Sequence, residues 1–211
     1  MPDIPRQTRL VIFDCDGVLV DSEPIANAVM AEALTAQGWP LTGPESVARF
    51  KGGHMHQVHA ALETELGRTV PRDWIAEFDA ACRTALVNVK PIEGISDLVT
   101  RVRHAELSIC VASQGPHEKM AVTLKAAGFD QIFAGRIFSS VDVERPKPAP
   151  DLFLHAAQSC GAQPHNCLVI EDSRTGVSAA LAAGMTVIYL NASGETLEGA
   201  ETARHPDDIN L

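Results

Sequence analysis

The chain has 211 residues, 45% of them hydrophobic and 5% aromatic, with a formal net charge of -10. That apolar content suits a sizeable core in one large domain or two unequal ones. No apolar run reaches the roughly 18 residues of a membrane span, and Met1 to Arg9 lacks the apolar stretch of a secretory signal. The acidic balance argues against nucleic acid or an anionic membrane as partner. The five cysteines (Cys15, Cys82, Cys110, Cys160 and Cys167) are scattered, without a CxxC pair. Most sit in or beside apolar runs, where free cysteine behaves as a small hydrophobe. A reduced, cytoplasmic protein is expected, and nothing in the sequence implies a protein partner.

Leu10-Val11-Ile12-Phe13 reads as a buried strand running directly into Asp14-Cys15-Asp16-Gly17. Two carboxylates that close repel each other unless a cation or proton intervenes. The glycine permits a tight turn or close approach to a ligand. Alone, the segment fits an acidic strand-to-loop turn as well as a metal or phosphoryl site.

Ile25 to Gln37 has apolar residues at helical spacing, ended by Gly38-Trp39-Pro40. Pro44 to Leu66, interrupted near Lys51-Gly52-Gly53, and Pro71 to Val89 also read as helices. No convincing strand lies between Asp21 and Val89. Lys90 to Gly94 reads as a linker and Ile95 to His104 as a helix. From there strands alternate with helices: Leu107 to Ala112, Arg136 to Ser140, Asn166 to Ile170 and Met185 to Leu190 as strands; Pro116 to Ala127, Asp151 to Cys160 and Gly176 to Ala183 as helices. The tail, Asn191 to Leu211, is polar and weakly patterned. Such alternation implies a parallel sheet covered on both faces. The expected class is α/β, a doubly wound, Rossmann-like core of residues 1–20 and 91–211 with an α-helical cap inserted at 21–90.

Strand ends hold the remaining chemistry, since ligands bind beyond the carboxyl ends of strands in open α/β sheets. Ser113-Gln114-Gly115-Pro116 opens a helix, where a hydroxyl and backbone N–H groups make either an anion site or an ordinary cap. In Arg145-Pro146-Lys147-Pro148-Ala149-Pro150 a lysine is framed by prolines, which aims one cation at little entropic cost. Leu168-Val169-Ile170 runs into a second acidic pair, Glu171-Asp172, then Ser173. Four carboxyl groups of this kind suit Mg²⁺.

The set resembles the haloacid dehalogenase-like (HAD) hydrolases, in their branch with a helical cap after the first strand. The resemblance rests on Phe13-Asp14-Cys15-Asp16-Gly17-Val18-Leu19-Val20-Asp21-Ser22-Glu23-Pro24, Ser113, Lys147-Pro148-Ala149-Pro150 and Glu171-Asp172-Ser173. It implies a Mg²⁺-dependent phosphatase acting on a small phosphorylated metabolite through an aspartyl-phosphate. Asp14 would be the nucleophile and Asp16 the general acid/base. Ser113, with the N–H groups of Gln114 and Gly115, would cradle phosphate, and Lys147 would neutralise charge on the transferring group. The implied metal set is Asp14, Asp16 (through its carbonyl), Asp172 and Glu171, the last directly or one water removed. A cap loop, Arg49 to His54, would cover the site, with Lys51 and His54 meeting the rest of the substrate.

His54, His56 and His59 do not form a zinc site, because offsets of two and five residues do not share a helix face; they are expected to be exposed or partly buried. Sugar-phosphate mutases of the β-phosphoglucomutase type share this frame. Their cap-hinge histidine corresponds to Ala26 here, and their second-phosphate arginine falls near Met55, so hydrolysis is favoured. Arg49-Phe50-Lys51-Gly52, Ser113 to Pro116 with Lys119-Met120, and Phe153 to Ala157 look like stretches of 6-phosphogluconate phosphatases. Hexitol and phosphoglycolate phosphatases share much of the frame. The expected ester is therefore a sugar-acid, sugar or polyol phosphate. Receiver-type phospho-accepting modules are the rival from another class, but they place their acceptor aspartate where this chain has Ser113, and they lack a helical insertion.

Overall fold

The computed structural model describes residues 1–50 and 55–211. The chain divides into two compact units, Met1–Asp21 with Lys90–Leu211, and Ser22–Val89.

The first unit is built on a six-stranded sheet of order β3-β2-β1-β4-β5-β6, all parallel. The strands are β1 (Leu10–Phe13), β2 (Ser108–Ser113), β3 (Ile137–Ser139), β4 (Cys167–Glu171), β5 (Thr186–Leu190) and β6 (Glu201–Ala203). Every residue of β1 and β4 is buried, as continuous apolar strands require when helices cover both faces. One face, carrying Leu10, Ile12, Cys110, Cys167 and Val169, packs under α7 (Asp151–Ser159) and α8 (Arg174–Ala182). Right-handed crossovers place α5 (Ile95–His104) and α6 (His117–Ala126) on the other face. There Phe13 meets Phe133 edge-on at 5.9 Å.

Beyond Asp14 the chain makes a tight turn. Gly17, at φ 80°, donates to the Val20 carbonyl at 2.9 Å, and the Asp21 N–H donates to the Lys90 carbonyl at 2.9 Å. The outgoing and returning strands of the insertion are thus paired at its base.

The tail corrects its expected lack of pattern. It supplies β6, and Arg101 donates to the carbonyls of Ile209 at 2.7 Å and Pro206 at 3.2 Å. A three-residue strand with one buried side chain, Ala203, is too short to show a period.

The second unit contains α1 (Glu23–Ala36), α2 (Gly43–Phe50), α3 (Met55–Leu66) and α4 (Asp73–Ala85). Its core gathers Met30, Leu34, Trp39, Val58, Leu62 and Trp74, among others. His59 departs from its expected exposure and belongs to this core, 4% exposed. It stacks on Trp74 with ring centroids 6.1 Å apart. Its Nδ1 accepts the Trp74 indole N–H at 3.2 Å, which puts a neutral ring's proton on Nε2, 3.6 Å from Glu63. A buried indole needs an acceptor, and the histidine is where it finds one. Replacing His59 with Leu strands that donor and is expected to cost about 1–3 kcal/mol. Urea denaturation measures this; unchanged stability would show the bond to be dispensable.

Candidate active site

Three adjacent strands deliver the site from their carboxyl ends. Asp14 follows β1, Ser113 ends β2 and Glu171 ends β4. Connections leave β1 towards β2 on one side and return to β4 on the other, so the three meet at the topological switch point of the sheet. The Asp14 N–H still bonds the Ile170 carbonyl at 3.0 Å, which fixes the backbone from which its carboxyl group projects.

Lys147 reaches this point from the proline-framed loop. Its ammonium donates to Asp14 Oδ1 at 2.7 Å, Glu171 Oε1 at 2.6 Å and the Ala112 carbonyl at 3.0 Å, which uses all three of its hydrogens. The Phe153 ring lies 4.7 Å away. The lysine side chain is 1% exposed. Burial works against the charged ammonium, but Asp14 and Glu171 outweigh it and hold its pKa above the ordinary lysine value. Asp14 moves the other way from a normal salt-bridged carboxylate. Burial, foremost, pushes its pKa up to about 7 against the pull of Lys147, and Glu171 and Asp16 add to the rise. One ammonium shared by two buried carboxylates does not neutralise both.

Both oxygens of Glu171 accept protein donors. Its Oε1 takes Lys147, and its Oε2 accepts the Ser173 N–H and hydroxyl, each at 2.8 Å. The Ser173 hydroxyl in turn accepts the Gly176 N–H at 3.0 Å and caps α8. Any side chain at Gly176 would overlap the Glu171 carboxylate. The Asp172 carboxylate likewise occupies the space that a Cβ on Gly17 would fill. Asp172 is thereby held against the Asp14–Gly17 turn.

Asp16 is less buried, its side chain 26% exposed, and Lys119 of α6 contacts its Oδ2 at 2.8 Å. Ser113 is buried, and its hydroxyl accepts the Gly115 N–H at 3.3 Å. The carbonyls of Gly115 and Gln114 accept the hydroxyls of Ser139 at 2.7 Å and Ser140 at 2.8 Å, so the turn after Ser113 is tied down at the end of β3. The structure therefore brings together Asp14, Asp16, Ser113, Gly115, Lys147, Glu171 and Asp172, with Gln114 exposed on the same turn. Lys51 and His54 lie outside the described residues. Neighbouring Arg49 sits over the Trp39 ring at 5.3 Å within the helical unit.

Among the described residues, no three His, Cys, Asp or Glu side chains form a group that could hold a metal ion by themselves. Lys147 lies between Asp14 and Glu171, and Lys119 engages Asp16. A hard cation that keeps several waters and takes one or two carboxylates plus substrate oxygens is still compatible with such a site. Lys119 is the residue that strand-end reasoning passed over. It lies inside a helix, and the sequence marks it only by its spacing of six residues after Ser113 and by the likeness of Lys119-Met120 to 6-phosphogluconate phosphatases.

A family model described as haloacid dehalogenase-like hydrolase matches residues 8–184. The chain is 31% identical over 184 residues to the 6-phosphogluconate phosphatase of Escherichia coli K12, covering 85% of this chain and 80% of that one. It is 30% identical over 189 residues to Hexitol phosphatase A of the same organism, covering 88% and 84%. A solved haloacid dehalogenase-like protein from Agrobacterium tumefaciens matches with a TM-score of 0.82 at 33% identity, covering 95% of each chain.

Replacing Lys147 with Met leaves two buried carboxylates without their shared counter-charge, which is expected to cost about 3–5 kcal/mol at neutral pH. Because Asp14 takes up a proton readily, the cost should shrink as pH falls and that charge disappears. Urea denaturation across the acid-to-neutral range measures both. An equal cost at every pH would contradict the shared-ammonium arrangement.

Proposed function

This chain belongs to the haloacid dehalogenase-like hydrolases and is a phosphatase, and we propose that it hydrolyses a small sugar-acid, sugar or polyol phosphate by way of a phosphoryl group carried on Asp14. The observation that carries this reading is the Asp14 carboxylate fixed by Lys147 at the end of β1, with Asp16 two residues on. The relatives that are phosphatases of 6-phosphogluconate and hexitol phosphates support the substrate class.

The donor set fits Mg²⁺. Three carboxyl groups, those of Asp14, Asp16 and Glu171, meet two ammonium groups among the described residues of the site, and the pKa of Asp14 is pushed up to about 7 by burial. A divalent cation would relieve that excess. Asp14, Asp172 and the main-chain oxygen of Asp16 would hold it, while Glu171, both oxygens engaged, would act by fixing Lys147. Bound there, Mg²⁺ would supply charge neutralisation for phosphate oxygens.

In this reading the Asp14 carboxylate oxygen forms a bond to phosphorus as the ester P–O bond breaks. The electron pair of that bond stays with the leaving oxygen, which takes a proton from Asp16. Asp16 then removes a proton from water, which attacks phosphorus and frees Asp14. Lys147 and the N–H groups after Ser113 balance the charge on the phosphoryl oxygens. Ordinary proton transfer of this kind supplies about 10²–10⁴-fold. Five free cysteines support a reducing, cytoplasmic setting.

Phosphate release from a panel of esters tests the reading: 6-phosphogluconate, hexose and hexitol phosphates, phosphoglycolate and β-glucose 1-phosphate, with Mg²⁺. Preferential release from sugar-acid, sugar or polyol esters is expected, silenced by EDTA and restored by Mg²⁺. Metal-independent turnover would contradict the metal site, and conversion of β-glucose 1-phosphate without release would mean a mutase. Asp14→Asn, nearly isosteric, is expected to abolish turnover while the thermal melt stays cooperative. Activity near wild type in that variant would remove Asp14 from the nucleophile's role.

A further inference from the structure

Lys119 is a cation at the site that the chemistry above leaves without a task, and its placement is unusual. It lies in the first turn of α6, where the positive end of the helix dipole disfavours a cation. Burial also works against its charge, and its ammonium is held 2.8 Å from Asp16 Oδ2. Such a position needs a reason.

The helix face supplies one. Thr123, four residues on and therefore on the same stripe of α6, contacts the Cys15 thiol at 3.8 Å. Lys119 contacts Asp16 Oδ2 at 2.8 Å. One helix face thus grips two consecutive residues of the turn that follows β1. The helix is itself fixed: Met120 and Leu124 are fully buried, and the turn before it is tied by Ser139 and Ser140. Gly115 lies beside both partners, close enough that a Cβ there would stand 3.6 Å from Asp16 Oδ2 and 3.6 Å from Lys119 Cδ.

We infer that Lys119 is a positioning residue for Asp16: by fixing Oδ2 it sets the direction of the whole carboxyl group, and with it the line along which a proton reaches the leaving oxygen. The inference rests on Asp16 acting as the general acid. Lys119 itself transfers nothing in this scheme. Its effect is on aim, and a misplaced acid is a poor one.

The dependence on leaving group reads this directly. A sugar alkoxide departs only with a proton, whereas p-nitrophenolate departs without one. In Lys119→Met, kcat for the preferred sugar or polyol phosphate is expected to fall by about ten- to a hundredfold. For the same variant, the pre-steady-state burst of p-nitrophenolate, which reports phosphorylation of Asp14 before Asp16 acts as base on water, should keep a rate close to wild type, KM for the sugar ester should change little, and Lys119→Arg should recover most of the loss. A burst at the wild-type rate also reports that the variant is folded. Equal losses in the phosphorylation step for both esters would overturn the inference, because they would mean a structural role only. A raised KM with kcat intact would overturn it too, by making Lys119 a substrate contact. Asp16→Asn separates the two layers. If it shows the same leaving-group dependence and Lys119→Met does not, the lysine's role fails alone; if neither shows it, the role of Asp16 as acid fails first.

Discussion

A single ammonium group, buried where three strands end, is the interaction on which the catalytic unit depends. Lys147 joins the residue after β1, the carbonyl of Ala112 in β2, and the last residue of β4. As a source of stability the arrangement is poor. Buried ion pairs repay their desolvation only with good geometry, and apolar replacements of similar volume are often neutral or stabilising. The surroundings are nonetheless shaped to keep it. Gly176 leaves room for the Glu171 carboxylate, Ser173 fills that carboxylate's second oxygen, and Phe153 lies against the ammonium. A polar cluster maintained at that cost fits the proposed chemistry, in which a charged, fixed lysine would both orient Asp14 and meet negative charge building on a phosphoryl group.

The two motif aspartates are only two residues apart, yet their environments differ. Asp14 is 6% exposed and tied to a lysine with no freedom left. Asp16 is more open and meets Lys119 of α6, on the opposite sheet face from α7 and α8. Neighbouring carboxylates in unlike surroundings are a recurring way to divide nucleophilic from proton-transfer work. Here the difference in surroundings follows from the fold: Asp14 directly follows a buried strand, and Asp16 lies in the turn that Gly17 allows.

Much of this was legible before any coordinates. The β1 segment, Ser113, Lys147 and the Glu171-Asp172 pair each stand at or near a strand end, and contiguous apolar strands are the strongest signal in the chain. Ser113, Asp14 and Glu171 meet because β2, β1 and β4 are neighbours, which strand-helix alternation alone does not order. Lys119 stayed hidden because its meaning depends on which face of α6 meets which turn. That Ser173 and Lys147 engage both oxygens of Glu171 is likewise not visible in the sequence. His59 and β6 were missed for simpler reasons. An indole partner fifteen residues away leaves no local trace, and three residues are too few for a pattern.

The account turns on whether the phosphoryl group passes through Asp14 or goes straight to water. Hydrolysis of an oxygen-isotope-labelled ester that is chiral at phosphorus decides between them. Two successive in-line displacements, first by Asp14 and then by water, predict retention of configuration in the released phosphate. Inversion would mean that water attacks the ester directly, and the buried pair of Asp14 and Lys147 would then need a different explanation.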